Sequence, residues 1–580
     1  MVGSPGVAMI LQSAGIETLI DAVPLWAMQL LLVAAAAVSV IVCFRLVDSR
    51  GRWPRRIRSR LLVGVPWGTL LTLLFLLGMF LFVQGAYDGA IFDPRQPVTY
   101  AFTAWAYEYP LGVLTAAFSH GSFNHFLGNA IALAVFGTIA EYGYGHFPTD
   151  RGQQIEYGSR DGPYLRSVGF FLALLAVGLA TAAFTPGPII GFSGVVYALA
   201  GFALIVRPLT TVAGLLMTDV LSNLYSAFTN PITTQSPSVR YIDVWFADIS
   251  VAGHLLGFLI GVLVGIALWR RRDETERTAR LWIGVVVFGL IQGLWLVYWP
   301  LGNEEFALFR GVGVGFVFLV AAVVVVATAW PSRPLIPWPS RVPERIIDEM
   351  PSRGRFAAAL LVVSVLSLSI AGFVTHLATV DSTELPNDPV QIQDYQVGYS
   401  ENVTNQLYSV VDVPMIDQAS TVQASGVIVY SERRSVWQVA TSTSRLASNG
   451  YTRVTVGGVG WRETVGVTRT GWSVVGGDDA YRVRLYPPDD DPRLAFASEP
   501  ATAEVVVANR SISLRPAGTD FEIVVERDNE TLGIANVPAA GSNVTVADLR
   551  FERVDRNLYA SYDGTRVRVA NKKVPPTRRD

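Results

Sequence analysis

Residues 250–265 read SVAGHLLGFLIGVLVG, a run without a charged side chain and with a single histidine, His254, near its start. Glycines at 253, 257, 261 and 265 recur every four residues. On a helix they form one ridge without side chains, against which a second helix can pack backbone to backbone. The run stays apolar to position 269, close to the ~20 residues a spanning helix needs. Packing in hydrocarbon requires no histidine, and ionisable groups there are costly and usually functional. Two readings of His254 stand side by side. It accepts a proton from a nearby hydroxyl, or it is a structural group bonded to a backbone carbonyl.

The rest of the chain has the same apolar character. Of 580 residues, 51% are hydrophobic and 16% charged, against about 25% charged in soluble domains. Mean hydropathy is +0.38. A net charge of −2 excludes a nucleic-acid binder built on an overall positive field. The single cysteine, Cys43, excludes a disulfide framework and a cysteine-based metal site. The composition defines an α-helical multispan membrane protein.

Ten segments are candidate spans, near 25–47, 62–84, 119–141, 165–184, 191–207, 209–228, 249–269, 281–299, 310–330 and 356–378. The first is preceded by Glu17 and Asp21 and by no Lys or Arg, so it reads as a retained span, not a signal peptide. Arginines crowd residues 50–60 (RGRWPRRIRSR), 270–280 and 331–355, which places those loops in the cytoplasm. With ten spans both termini then face outside, as do the loops 85–118, 229–248 and 300–309.

Beyond residue 380 the spans stop. Short β-branched runs such as GVIVYSE, EVVVANRSISL and RVRVAN alternate with Gly, Asn, Asp and Pro clusters, the pattern of an all-β domain. This region carries a net charge of −5 against +3 for the rest, and contains the sequons Asn402, Asn509, Asn529 and Asn543. It reads as an independently folding extracytoplasmic domain held by the 356–378 helix. The sequence leaves open a substrate-recruiting module, a surface that binds an extracellular partner, and a spacer.

Two further clusters carry polar groups into the apolar runs. Residues 114–133 read LTAAFSHGSFNHFLGNAIAL. His125 and Asn129 are four apart and share a helix face, so both can offer an N–H to one point. His120, about 140° around an ideal helix from His125, is expected to face elsewhere. The alternative is polar glue between helices. Residues 186–204 read PGPIIGFSGVVYALAGFAL. Pro186, Gly187 and Pro188 break one helix, and Ser193 opens the next between Gly191 and Gly194. A serine there lies beside orphan backbone N–H groups at the positive end of the helix dipole. The alternative is a close-packing site. Under the topology above, all three clusters fall in the outer part of their spans.

Together these motifs resemble the rhomboid intramembrane serine proteases. The family shows HxxxxHxxxN, GxSG and a histidine followed by GxxxG, in that order. Here they are His120–His125–Asn129, Gly191–Ser193–Gly194 and His254–Gly257–Gly261. The resemblance implies a six-helix core at 62–270, after an extra helix and basic loop at 1–61. Three additional helices at 271–379 and the β-rich domain at 380–580 follow. It implies Ser193 as nucleophile, His254 as general base, and an oxyanion hole from His125, Asn129 and the Ser193 N–H. Tyr197 would stack on the base, and His120 and Glu141 would be structural. No metal or cofactor is implied. The partners would be the lipid bilayer and transmembrane protein substrates, with no nucleic acid. An inactive rhomboid-like scaffold that binds membrane clients is the alternative. The family often carries a Trp-Arg pair in the loop between its first two core helices; here Trp105 is followed by Ala106.

Overall fold

The computed structural model describes residues 24–47, 52–85, 97–147, 162–230, 250–272, 278–302, 305–329, 352–380, 385–406, 423–518 and 520–573. The segment 1–23 and most of the loops 229–248 and 331–355 lie outside them, as does the centre of 270–280.

The apolar segments form helices: α1 (Leu25–Val47), α2 (Trp67–Gln84), α3 (Phe123–Tyr144), α4 (Pro163–Phe184), α5 (Ser193–Val206), α6 (Pro208–Thr229), α7 (Val251–Arg272), α8 (Thr278–Ile291), α9 (Arg310–Ala329) and α10 (Arg353–Leu377). Among the described residues seven are long and apolar enough to cross a membrane, namely α1, α2, α3, α4, α7, α9 and α10. The helices α5 and α8 have 14 residues each, short of the ~20 of a full span.

α5 is the axis of the bundle. Every residue from Gly194 to Val206 is buried, as expected of a helix apolar on all sides. α7 lies against it through the glycine ridge. A Cβ on Gly257 would stand 1.9 Å from the Gly194 carbonyl oxygen, and one on Gly261 1.9 Å from that of Ala198. At the far end of α3, the buried Glu141 carboxylate accepts from the N–H groups of Gly68 (2.7 Å) and Thr69 (2.8 Å), capping α2. His146 donates to Glu141 at 2.7 Å and accepts from the Leu62 N–H at 2.9 Å, which fixes its tautomer.

The structure corrects two segment boundaries. The candidate span at 281–299 is helical only to Ile291. Gly293 then takes φ 72°, and the chain forms the hairpin β1 (Tyr298–Gly302) with β2 (Glu305–Leu308). The candidate span at 119–141 begins as a helix only at Phe123, because the Ser122 hydroxyl accepts from the His125 N–H and caps it there. His120 therefore lies in the turn before α3, and the helical-wheel angle does not apply. Its ring meets that of His125, with centroids 5.3 Å apart.

Among its described residues the C-terminal region is all β apart from one short helix, Thr443–Asn449. It comprises two sandwiches that share a sheet. A four-stranded sheet, β3 (Val390–Ile392), β4 (Tyr395–Thr404), β5 (Gln423–Ser431) and β6 (Val436–Ser442), covers one part of an eight-stranded sheet. The other part, with the strands from Asn543 to Lys573, packs on a four-stranded sheet between Ala501 and Asn536. The 14-residue strand Trp461–Val474 contributes to both cores. All four sequon asparagines are exposed.

This region is not held by α10 alone. Trp105, from the loop after α2, is 6% exposed and belongs to the core of the first sandwich. The domain therefore lies on the same side of the bundle as that loop.

Candidate active site

The N-terminus of α5 is reached through Pro186, Gly187 and Pro188; the prolines disfavour continuation of α4, and Gly187 has a non-helical φ of 80°. Gly191 has φ 130°, and a Cβ there would stand 2.5 Å from the Cε1 of His125. Both facts require glycine. The absence of a side chain lets the imidazole of His125 lie against the backbone two residues before Ser193. Gly194 is confined by Thr181, whose Cβ would be 3.1 Å from an added Cβ.

Ser193 Oγ and His254 Nε2 are 2.9 Å apart. The contact follows from the helix packing, since Gly257, one turn after His254, rests on the carbonyl of Gly194, next to Ser193. The Tyr197 ring, one turn into α5, stacks on the His254 imidazole at 4.1 Å and 10°. The Tyr197 hydroxyl donates to the Gln292 carbonyl at 2.7 Å, from the turn after α8. Ser193 and His254 are half-buried.

His125 is half-buried beside this pair and Asn129 is 7% exposed. The Asn129 Nδ2 is buried without a hydrogen-bond partner, a donor whose desolvation is uncompensated. His120 is fully buried, with both ring nitrogens unpartnered, and packs edge-on against Phe80 and Phe126. Among the described residues no group of three or more His, Cys, Asp or Glu side chains is placed to hold a metal ion.

Two residues of the site's surroundings were not singled out in the sequence. Gln84, at the end of α2, is fully buried. Its Nε2 donates to the carbonyls of Val98 and His120, each at 2.9 Å, and its Oε1 accepts from the His120 N–H at 2.8 Å. A lone amide ending an apolar run was the available signal. Gln292, which holds Tyr197, follows an apolar run in the same way.

Fold and site together define a helical membrane protein with a serine and a histidine in hydrogen-bond contact at one end of its central helix. Residues 107–271 match the family model described as Rhomboid domain. That match spans the helices α3 to α7 and supports a rhomboid-family protein. Comparison with curated proteins and with solved structures gives no match.

Proposed function

We propose that the chain is an intramembrane serine protease that hydrolyses peptide bonds in or near the transmembrane segments of other membrane proteins. The observation that carries this reading is the 2.9 Å contact between Ser193 Oγ and His254 Nε2. In this mechanism His254 takes the Ser193 proton as Oγ attacks the scissile carbonyl, then delivers it to the leaving amine. The charge that develops on the carbonyl oxygen meets the Ser193 N–H and the side chains of His125 and Asn129. Water then attacks the acyl-enzyme, again with His254 as base. In serine proteases with a third, acidic member, that residue fixes the imidazole tautomer and orientation. Here the stacked Tyr197, anchored on Gln292, supplies the orientation.

The four-part division at 61, 270 and 379 belongs to the same proposal, as does an extracytoplasmic C-terminal domain. The Arg-rich loops support that orientation. Substrates would be transmembrane proteins cut near their outer ends, where the helix must unwind to expose a carbonyl otherwise held in the i→i−4 ladder.

The test uses the purified full chain in liposomes with a transmembrane reporter and a fluorophosphonate probe. Wild type is expected to cleave the reporter and to be labelled at Ser193, and Ser193→Ala and His254→Ala to do neither. The double variant should be no worse than either single one, because the pair acts as a unit. Near-normal cleavage by folded Ser193→Ala would sink the assignment. A folded wild type inert to both reporter and probe would leave the client-binding scaffold as the reading.

A further inference from the structure

The loop at 98–109 has two faces, and each is bound to a different part of the molecule. Its outer face is gripped by the C-terminal domain at three points. Val98 fits against Gly457, where an added Cβ would stand 2.9 Å from its Cγ2. Trp105 is part of the buried apolar cluster of the first sandwich, together with Tyr395, Val456 and Val465. Its indole N–H donates to the Tyr100 carbonyl at 2.8 Å, and Tyr100 stacks on it at 6.4 Å and 14°. The Tyr109 hydroxyl accepts from Arg434 Nη1 at 2.7 Å, while Arg434 is itself clamped on Asp394 through two hydrogen bonds of 2.5 and 2.9 Å.

The inner face is bonded to the segment that delivers Ser193. The Ala104 N–H donates to the Ile189 carbonyl at 3.0 Å, in an antiparallel bridge between the two segments. Ile189 lies four residues before Ser193. The Tyr107 hydroxyl donates to the Ala183 carbonyl at 2.6 Å, at the end of α4. α10 closes the bracket. The His376 carbonyl accepts from the Tyr107 N–H at 2.9 Å, and the Thr375 hydroxyl accepts from the Gly187 N–H at 3.2 Å. Ala104 faces the catalytic segment and Trp105, the next residue, faces the domain. The link from the sandwich core to the Ser193 segment is therefore one peptide unit and one backbone hydrogen bond.

We infer that residues 380–580 hold the 187–193 segment in its reactive geometry through this loop, with Trp105 as the positioning residue. The inference rests on the protease reading above. Trp105 touches no reacting atom in this scheme. It fixes Ala104, which fixes Ile189, which sets the placement of Gly191 against His125 and of Ser193 against His254. Removal of the domain then impairs the chemical step itself, for every substrate. A pure recruitment module would instead affect only substrates that it binds.

The experiment compares the full-length wild type with Trp105→Phe, Trp105→Ala and Arg434→Gln in liposomes. The fluorophosphonate labelling rate at Ser193, kcat and KM for a reporter without an external portion, and the melting temperature are measured. A small displacement of reacting groups costs up to about 10²-fold in rate. Trp105→Ala is expected to slow labelling and kcat about 10- to 100-fold with KM little changed. Trp105→Phe should restore most of the rate. Arg434→Gln, which replaces no apolar side chain of the sandwich core, should lower kcat in the same direction; it decides the matter if Trp105→Ala does not fold. Wild-type labelling rates in folded Trp105→Ala, or in Arg434→Gln where Trp105→Ala does not fold, overturn the inference and leave the protease reading standing. The same holds if KM rises while the labelling rate does not change. A wild type that is not labelled overturns the protease reading, and this inference with it.

Discussion

The Tyr197 ring lies parallel to the His254 imidazole, 4.1 Å away between centroids, and its hydroxyl is tied to the Gln292 carbonyl. The turn after α8, outside the matched domain, thus fixes the ring that orients the proposed base. No carboxylate is bonded to His254 among the described residues.

Tyr197→Phe and Tyr197→Ala separate the two contributions. The phenylalanine keeps the stack and loses only the anchor, so kcat is expected to fall modestly. The alanine frees the imidazole, and kcat should fall by roughly 10²-fold with KM little changed. Steady-state kinetics on the reporter decides. Equal losses for the two variants would show that the hydroxyl, not the stack, matters.

Asn129 should show opposite effects on stability and rate. Its buried Nδ2 lacks a partner, which costs the resting fold about 1–3 kcal/mol. Asn129→Leu, of similar size, is expected to raise or hold the melting temperature while it lowers kcat by about 10²–10³-fold, the cost of one lost oxyanion donor. A large drop in melting temperature with unchanged kcat would mark Asn129 as a structural group.

The glycine ridge yields a prediction whose sign runs against helix propensity. Alanine favours a helix interior over glycine by about 1 kcal/mol. Yet a Cβ on Gly257 would overlap the Gly194 oxygen at 1.9 Å, which drives α7 off α5 and His254 away from Ser193. Gly257→Ala should therefore lower the melting temperature and abolish cleavage. Gly128→Ala, where nothing lies within 4 Å of an added Cβ, should do neither. Thermal unfolding and reporter cleavage measure both, and a neutral Gly257→Ala would contradict the packing.

The candidate site was legible because its residue types are rare where they occur. Five histidines in 580 residues, three of them in apolar runs beside Gly-flanked serine and asparagine, stand out without any knowledge of contacts. The Ser193–His254 contact itself was not readable, since it depends on how the ridge of α7 meets α5. His120 was misplaced because the Ser122 cap, a local hydrogen bond, starts α3 after it. Gln84 escaped notice because its partners are backbone atoms of Val98 and His120, and Gln292 because what holds Tyr197 is its backbone carbonyl, which no residue type announces. The alternation beyond residue 380 indicated strands, but not two sandwiches, since one long strand serves both cores. Nor does any periodicity tell that a tryptophan from a distant loop completes one of them.

The last prediction concerns the Asp394–Arg434 clamp that secures Tyr109. Burial pushes the Asp394 carboxyl up, but hydrogen bonds from Arg434 and Ser431 and the guanidinium charge outweigh it and hold it below its ordinary value. A carboxylate depressed in the folded state adds stability that is fully present above its unfolded pKa of about 3.9 and is lost as pH falls through the lower folded value. Residues 380–580 contain no histidine, the side chain that ordinarily titrates near neutrality. The Asp394–Arg434 clamp on Tyr109 should therefore be insensitive to pH from about 8 down to about 5 and loosen only in strong acid. Asp394→Asn, which removes the charge facing Arg434, should loosen it at neutral pH. Hydrogen-exchange protection of residues 98–109 reports the grip through the opening of the loop, whose amides bond to Gln84, Ile189 and His376. Protection lost between pH 7 and 5 in the wild type, or unchanged in Asp394→Asn, would show that this ion pair does not hold the loop to the domain.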